Sequence, residues 1–574
     1  MKRWRFHAEA PDEVVRALPD LPPLLVRILA NRGLATPDEV QAFLRSSYDE
    51  HLHDPLLFRD MAKAITRIAA ARERGEKIML YGDYDVDGVS ALSILFSSLR
   101  ALDCKNIGVY IPDRYSEGYG LNESAVKKFI QGGIKLLITC DCGTSNVNEI
   151  ALAQKAGIDV IVVDHHKAPP KLPEAYAFLN PAFADEPYPF KKLCSGGVAF
   201  KLATALLHHV EYGKAWLERP LPAGWEKWLL DLATLATVAD MMPLIGENRV
   251  IVKHGLTVLR KTRRHGLRTL AEVMGTPLEK FSALTIGFQI APRLNAAGRL
   301  KHANASFRLL TTADPAEARA LAEELDRTNR DRQQLTDTIF REALDQVRSG
   351  ELSTLVVAHG EGWSSGVIGL VAGKLKEVFH RPTLAIGVER GKVVGSGRSI
   401  SGFDITQALV ESSEYLLKFG GHPMACGFTV KSVDDVPGFV AKMTDVARRE
   451  LGERDLTPEL LLDADLTLGD VSWELVEQLA RLEPFGMAVP QPVFASRNLR
   501  VLQFERVGRD GKHLRLRVLD DEGRGGRLIG FGFGDWADRL GPGDRYDLAY
   551  RVGTNEWNGN RELQLTLVDL RPTQ

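Results

Sequence analysis

The sequence predicts an α/β protein: two α/β domains, the first built on a parallel sheet, joined by one long helix and followed by a small β-barrel. Three observations predict this. Short, nearly all-apolar runs alternate with amphipathic stretches over residues 60–163, the pattern of βαβ units around a sheet buried on both faces. Asp314-Pro315-Ala316-Glu317 opens a helix with an N-cap, a first-turn proline and a glutamate three residues after the cap. No Gly or Pro follows until Gly350, so this helix runs about 33 residues, or ~50 Å. After about Gly452, evenly spaced short strands with turn residues between them suggest a barrel or sandwich.

Residues 1–48 read as a helical segment broken by Pro19, Pro22, Pro23 and Pro37. Over 49–259 comes the first α/β domain: helix 60–74, strand 78–81, an acidic turn, a helix with apolar Val89, Leu92, Leu95, Phe96, Leu99 and Leu102, then strands 107–111, 135–139 and 159–163. Residues 260–350 form a helical connector whose middle, 326–334, is almost wholly polar, as expected of a helix crossing solvent. The second α/β domain, 351–455, has strands 352–358, 383–388 and 392–396 and helices 367–379 and 404–418. The barrel, 456–574, has strands 499–507, 513–519, 527–533 and 546–553, with Asn558-Gly559 as a hairpin turn.

The 574 residues carry 73 Lys and Arg against 75 Asp and Glu, a formal charge of −2. This excludes a histone-like basic mass but not a nucleic-acid enzyme, whose basic groove is offset by acids at a metal site. No apolar run approaches the ~20 residues that span a bilayer. The first residues, MKRWRFHAEAPDE, form no signal-peptide core. Five cysteines without CxxC spacing read as reduced thiols. The expectation is a soluble cytoplasmic monomer with no membrane contact.

The most informative segment is Tyr81-Gly82-Asp83-Tyr84-Asp85-Val86-Asp87-Gly88. Three carboxylates this close repel and resist desolvation unless cations compensate. An EF-hand loop would need a preceding helix and a Glu six residues after the glycine; here a strand precedes, and position 94 is Ile. Further acids stand at the ends of later elements: Asp141 after strand 135–139, Asp164-His165-His166 after strand 159–163, and Asp240 at the end of helix 228–239. Singly, each has a structural explanation as a cap or loop residue. Together they lie where open parallel sheets bind ligands, beyond the carboxyl ends of the strands. Many aspartates with one or two histidines suit Mn²⁺ or Mg²⁺ better than zinc, and five or six ligands suit two ions about 3.5–4 Å apart sharing a carboxylate.

DYDVDG, DCG, DHH and VAD, in this order, resemble the DHH phosphoesterases. Ala291-Pro292-Arg293-Leu294-Asn295-Ala296-Ala297-Gly298-Arg299, Gly395-Ser396-Gly397-Arg398-Ser399 and Gly420-Gly421-His422-Pro423-Met424-Ala425-Cys426-Gly427 narrow the likeness to the bacterial single-strand-specific exonucleases of that family, over nearly the whole chain. The resemblance implies a DHH domain, a DHH-associated domain and a C-terminal OB fold. It implies a 5′→3′ exonuclease that releases 5′-mononucleotides from single-stranded DNA by two-metal hydrolysis, in DNA repair and recombination. Asp85 and Asp87 are implied to ligate different ions bridged by Asp141, with His165 and Asp240 completing the site of Asp87. Relatives carry a histidine where this chain has Tyr81, so Asp83 is the candidate for the remaining ligand. His166 is implied to act on the scissile phosphate, with Asp164 orienting the histidines.

Arg260, Lys261, Arg263, Arg264 and Arg268 form a basic run, read either as a solvated helix face or as a nucleic-acid contact. Arg293, Asn295 and Arg299, flanked by Pro and Gly, and the glycine-rich Ser396/Arg398 turn suit phosphate oxygens. With the resemblance, Arg114, Arg299, Ser396 and Arg398 are expected to take the terminal 5′ phosphate, and His422 a phosphate near the metals, in a cleft between the α/β domains. Phe504, Phe531, Phe533, Trp536, Tyr550 and Trp557 make the barrel a candidate strand-tracking surface. Single-strand-binding protein and a helicase are the partners the family role implies. The competing readings are a phosphodiesterase for short oligonucleotides or cyclic dinucleotides, which would not need the barrel, and a non-catalytic scaffold, which would have lost the carboxylates.

Overall fold

The computed structural model describes residues 2–208, 221–389, 391–557 and 560–573. The chain divides into two compact units: residues 1–291, 306–319 and 459–574 in one, 292–305 and 320–458 in the other. Among the described residues no helix is long and apolar enough to cross a membrane.

The first unit is built on a five-stranded, all-parallel sheet. Strand Ile78–Gly82 has Ile107–Tyr110 on one side and Leu136–Cys140 on the other, followed by Asp159–Val163 and Ala177–Leu179. Both faces are covered. Tyr81, Leu137, Val160 and Val162 pack with Val126, Phe129 and Ile150 on one face, and the alternate residues Leu80, Ile138 and Ile161 are also fully buried. This two-sided burial is why the strands read as unbroken apolar runs. Helix Val86–Ala101 packs on helices Ser195–His208 and Leu230–Ala239 and is buried over most of its circumference. The chain leaves Ile78–Gly82 toward one edge of the sheet and returns to the other side of it, so a topological switch point lies beside the carboxyl ends of Ile78–Gly82 and Leu136–Cys140.

The barrel belongs to the same unit. Strands Phe494–Val507, His513–Leu519, Gly525–Gly530, Asn560–Pro572 and Arg545–Trp557 pair in that order, and the last pairs back onto the first, closing five strands. Closure removes exposed sheet edges. The predicted turn Asn558-Gly559 lies outside the described residues, although Trp557 and Asn560 pair on either side of it. Among the described residues, a strand pairing and a buried arginine are two of the contacts that tie the barrel segment to the rest of this unit. Arg3–Phe6, expected within a helical segment, is a strand paired in parallel with Glu459–Leu462. Arg249, 1% exposed, donates to the carbonyl oxygens of Phe43, Leu482, Glu483 and Pro484.

The second unit holds a mixed five-stranded sheet in the order Leu416–His422, Ala425–Val430, Lys392–Arg398, Thr383–Glu389, Val356–Glu361. Only the last pair is parallel. Helix Ile368–Phe379 and Ile339 and Ala343 of the long helix cover one face. Phe403, Ile405, Leu409 and helix Val436–Leu451 cover the other. The predicted helix 404–418 is shorter than expected: it spans Ile405–Glu411, and Leu416–His422 is instead the first arm of a hairpin. The long helix runs Pro315–Ser349, 35 residues, with Asp314 Oδ1 accepting from the Ala316 N–H. Its polar middle is not bare to solvent as predicted. Asp326, Thr328 and Asn329 are buried, and Asp326 accepts from Arg293 and Arg330.

Candidate metal centre and phosphate contacts

The acidic residues converge at the switch point. Strand Ile78–Gly82 ends in Asp83, whose N–H donates to Cys140 O and extends the ladder by one residue (3.2 Å). Asp85 is the N-cap of helix Val86–Ala101: its Oδ1 accepts from the N–H groups of Asp87 (3.0 Å) and Gly88 (3.2 Å). A Cβ on Gly88 would lie 2.7 Å from Asp83 O and 2.8 Å from Asp83 N, so glycine lets the first helical turn close onto the strand end. At the next strand end Asp141 adopts φ +61°, a left-handed conformation that an aspartate tolerates better than most residues. Asp240 stands at the C-cap of helix Leu230–Ala239.

Among the described residues three groups of ligand atoms result, the atoms of each within 4.8 Å of one another: Asp83, Asp85 and Asp141; Asp87, His165 and Asp240; Asp141, His165 and His166. His165 Nε2 lies 3.8 Å from Asp87 Oδ2, 3.3 Å from Asp141 Oδ1 and 3.7 Å from Asp240 Oδ2. Tyr81 is not among them. Its side chain is fully buried among the core residues, donating to Gly120 O and stacked on Tyr110. Asp164 contacts the histidines instead. Its Oδ1 accepts from the backbone N–H of His165 and of His166 and meets His166 Nδ1 at 2.7 Å, while Oδ2 accepts from the Thr144 N–H.

The electrostatics divide these groups. Burial, reinforced by neighbouring carboxylates, drives Asp83 and Asp141 well above the usual carboxylate range, raises Asp85, and pushes Asp240 up to about 8. Burial also opposes ionisation of Asp164, but the hydrogen bond and charge of His166 outweigh it and hold Asp164 at about 2. Burial would likewise depress His166; contact with Asp164 reverses this and raises it to about 9. His165, more deeply buried, is lowered. Asp83 Oδ1 is buried with no hydrogen-bond partner. An orphaned carboxylate oxygen among mutually repelling acids is the environment that hard divalent cations relieve, and a set rich in oxygen with some imidazole fits Mn²⁺ or Mg²⁺.

Two parts of this site are not marked in the sequence. Ser195 and Gly196 open helix Ser195–His208, and their N–H groups donate to Asp87 Oδ2 (2.9 Å) and Oδ1 (2.7 Å). Ser195 Oγ donates to Asp141 Oδ1 (2.9 Å). The Ser-Gly-Gly stretch was the signal available, but it stands apart from the acidic motifs, after the Asp164-His165-His166 turn and before Asp240. Tyr119, the second, places its hydroxyl 3.1 Å from Asp141 O and 3.3 Å from the His166 ring.

The basic candidates separate by unit. In the first, the Arg114 guanidinium lies 4.9 Å from the centre of the Tyr84 ring, beside the acidic loop. The run 260–268 is neither a free basic patch nor one solvated helix face: it joins two helices, and Arg260 donates to Phe281 O, Arg263 stacks on Trp228, and Arg264 pairs with buried Asp231. In the second unit, Arg293 Nε donates to Asp326 Oδ1, and Asn295 is half-buried on the same helix, Ala291–Leu300. Arg299 donates to Gly366 O (3.1 Å). Arg398 donates to Ser396 Oγ (2.9 Å), and a Cβ on Gly369 would lie 2.9 Å from Arg398 Nη2 and 3.1 Å from Ser396 Oγ. Arg299, Ser396 and Arg398 thus gather around residues 366–369, at the start of helix Ile368–Phe379, where the N–H groups of Ile368 and Leu370 are taken by the carbonyls of Ser364 and Val367. His422 is exposed at the end of a hairpin arm.

Family models match three regions: the DHH family N-terminal domain over residues 77–237, the DHHA1 domain over 352–449 and the RecJ OB domain over 462–569. The chain is 37% identical to the single-stranded-DNA-specific exonuclease RecJ of Bacillus subtilis, over 99% of this chain and 71% of that one. It is 34% identical to RecJ of Escherichia coli, over 98% of each. The chain belongs to the RecJ family. A crystal structure of RecJ in complex with Mn²⁺ from Thermus thermophilus superposes with a TM-score of 0.82 at 31% identity, covering 100% of this chain and 80% of that one. Its Mg²⁺ complex gives 0.74 at 30% identity, covering 100% and 79%. RecJ membership makes the chain an exonuclease, a hydrolase of phosphodiester bonds, and makes its closed barrel an OB fold.

Proposed function

We propose that the protein degrades single-stranded DNA from the 5′ end, releasing 5′-mononucleotides with two divalent cations, Mn²⁺ or Mg²⁺, in cytoplasmic DNA repair and recombination. One observation carries this reading: three ligand groups drawn from three adjacent strand ends and one helix end share Asp141 and His165. Asp83, Asp85 and Asp141 would hold one cation; Asp87, His165 and Asp240, with Asp141 between, would hold the other. Such cations, when bound, neutralise charge growing on the phosphoryl group and lower the pKa of the attacking water. His166, oriented by Asp164, donates a hydrogen bond to a non-bridging or leaving oxygen of the scissile phosphate.

Polarity follows from the second unit. A terminal phosphomonoester carries more negative charge than a phosphodiester, so Arg299, Arg398 and the Ser396 hydroxyl favour a 5′-phosphorylated end. Arg114, Arg293, Asn295 and His422 contact further phosphates. The OB barrel tracks the strand by charge and stacking, with half-buried Phe504 and exposed Phe531 as available rings. The protein acts as a monomer, with single-strand-binding protein and a helicase presenting the strand.

The test is digestion of one long single strand carrying a label at either end. Immediate release of 5′-labelled mononucleotide, abolished by Asp141→Ala, is expected. Release that begins at the 3′ label, or full activity of Asp141→Ala, overturns the reading.

A further inference from the structure

We infer that Ser195 is a positioning residue that couples the two halves of the metal centre and sets its discrimination between Mn²⁺ and Mg²⁺; this rests on the two-cation reading above. Ser195 is fully buried. Its backbone N–H and its hydroxyl reach two different carboxylates, Asp87 Oδ2 and Asp141 Oδ1, both at 2.9 Å. Those carboxylates belong to different elements: Asp87 sits in the first turn of helix Val86–Ala101, and Asp141 follows strand Leu136–Cys140. Ser195 thus touches both carboxylates through its own atoms, whereas Gly196 touches only Asp87.

The neighbouring residue makes this arrangement rigid. Gly196 N–H takes the second oxygen of Asp87, so that carboxylate is gripped at both oxygens and cannot rotate. A Cβ at Gly196 would stand 2.3 Å from Ala236 Cβ, so the start of the helix is wedged against helix Leu230–Ala239, whose end carries Asp240. Asp141 has no comparable backbone grip on its carboxylate; the Ser195 hydroxyl is its fixed donor, on the same oxygen that lies 3.3 Å from His165 Nε2. Removing the hydroxyl frees the torsion of the one carboxylate expected to serve both cations, while leaving every proposed ligand present. Mg²⁺ demands near-ideal octahedral geometry and dehydrates reluctantly, so a loosened carboxylate weakens Mg²⁺ more than a less demanding ion.

The experiment uses the full-length chain, freed of metal by chelation, and titrates MnCl₂ and MgCl₂ calorimetrically into the wild type, Ser195→Ala, Ser195→Thr and Asp141→Ala. Thermal unfolding of each metal-free protein checks folding. Ser195→Ala is expected to fold and unfold cooperatively without metal, at a somewhat lower Tm because Asp141 Oδ1 loses its donor, and to bind Mn²⁺ about 10–100-fold more weakly, the usual effect of losing a group that orients a ligand. The loss for Mg²⁺ should be larger, and Ser195→Thr, which restores a hydroxyl, should recover part of both. The Mn²⁺ electron paramagnetic resonance signal of the variant should lose the features of coupled ions. Wild-type affinities for both metals in Ser195→Ala would overturn the role of Ser195 while leaving the metal centre standing. Failure of the wild type to bind either metal would overturn the centre itself.

Discussion

At the residue scale, the two histidines of one motif are held in different states by one carboxylate. Asp164 raises His166 to about 9 and is itself held at about 2. The Asp164 contribution to stability is present above the ordinary carboxylate range and lost as pH falls through about 2; that of His166 is present below the ordinary imidazole range and lost as pH rises through about 9. Asp164→Asn is therefore expected to lower the His166 titration below that of the wild type, followed by nuclear magnetic resonance, and to reduce kcat about 10–100-fold. An unchanged titration would show that Asp164 does not orient the ring. Arg398→Ala is expected to erase the preference for 5′-phosphorylated over unphosphorylated ends while costing less on a saturating strand. Equal losses on both kinds of end would remove Arg398 from the phosphate pocket.

At the element scale, the site depends on how closely a helix can approach a strand end. Gly88 has Asp83 backbone atoms at 2.7 and 2.8 Å from where a Cβ would stand. Since backbone cannot yield as a flexible side chain does, Gly88→Ala should cost about 1–3 kcal/mol, the usual range for overpacking. Thermal unfolding checks this, and Mn²⁺ affinity should fall with it because the shift displaces Asp83. The long helix shows a different balance. Its length was legible from the cap at Asp314 and the absence of Gly and Pro. The fate of its polar middle was not, because a polar run looks alike whether solvated or paired; Arg293, distant in sequence, buries Asp326. Helix 404–418 was overextended for a related reason. Leu416 and the residues after it have no helix breaker before Gly420, and only pairing with Ala425–Val430 makes them a strand.

At the scale of the whole molecule, barrel and catalytic domain form one unit, and Arg249 is one of the buried side chains that hold them together. Arg249→Leu leaves the carbonyls of Phe43, Leu482, Glu483 and Pro484 without this donor. Phe43 O keeps the Ser46 hydroxyl (2.7 Å), and each of the other carbonyls, if stranded, costs about 1–3 kcal/mol. Limited proteolysis should then cut near residues 480–490 while the wild type resists; equal resistance would mean other contacts suffice. The metal centre also acts on the whole fold. Asp240 is raised to about 8, so its contribution to metal-free stability is complete below the ordinary carboxylate range and lost as pH rises through about 8. Cations replace those protons. The rise in Tm on adding MnCl₂ should accordingly be larger at pH 8.5 than at pH 6. At 100-fold over Kd the stabilisation is about 2.7 kcal/mol, and a pH-independent shift would place the cations elsewhere.

The sequence by itself determined the three-part architecture, the parallel sheet and most of the acidic constellation, because burial on both faces and carboxylates at strand ends leave local, periodic marks. It marked Asp83, Asp85, Asp87, Asp141, His165 and Asp240, but their grouping was implied by the family resemblance and not by any pattern in the residues themselves. Only the tertiary structure gave that grouping distances, turned Tyr81 away into the core, and brought Ser195 and Gly196 onto two of the carboxylates. Each of these depends on which elements pack against one another across long stretches of chain. Such packing is a property of the assembled core, and no local pattern of residues encodes it.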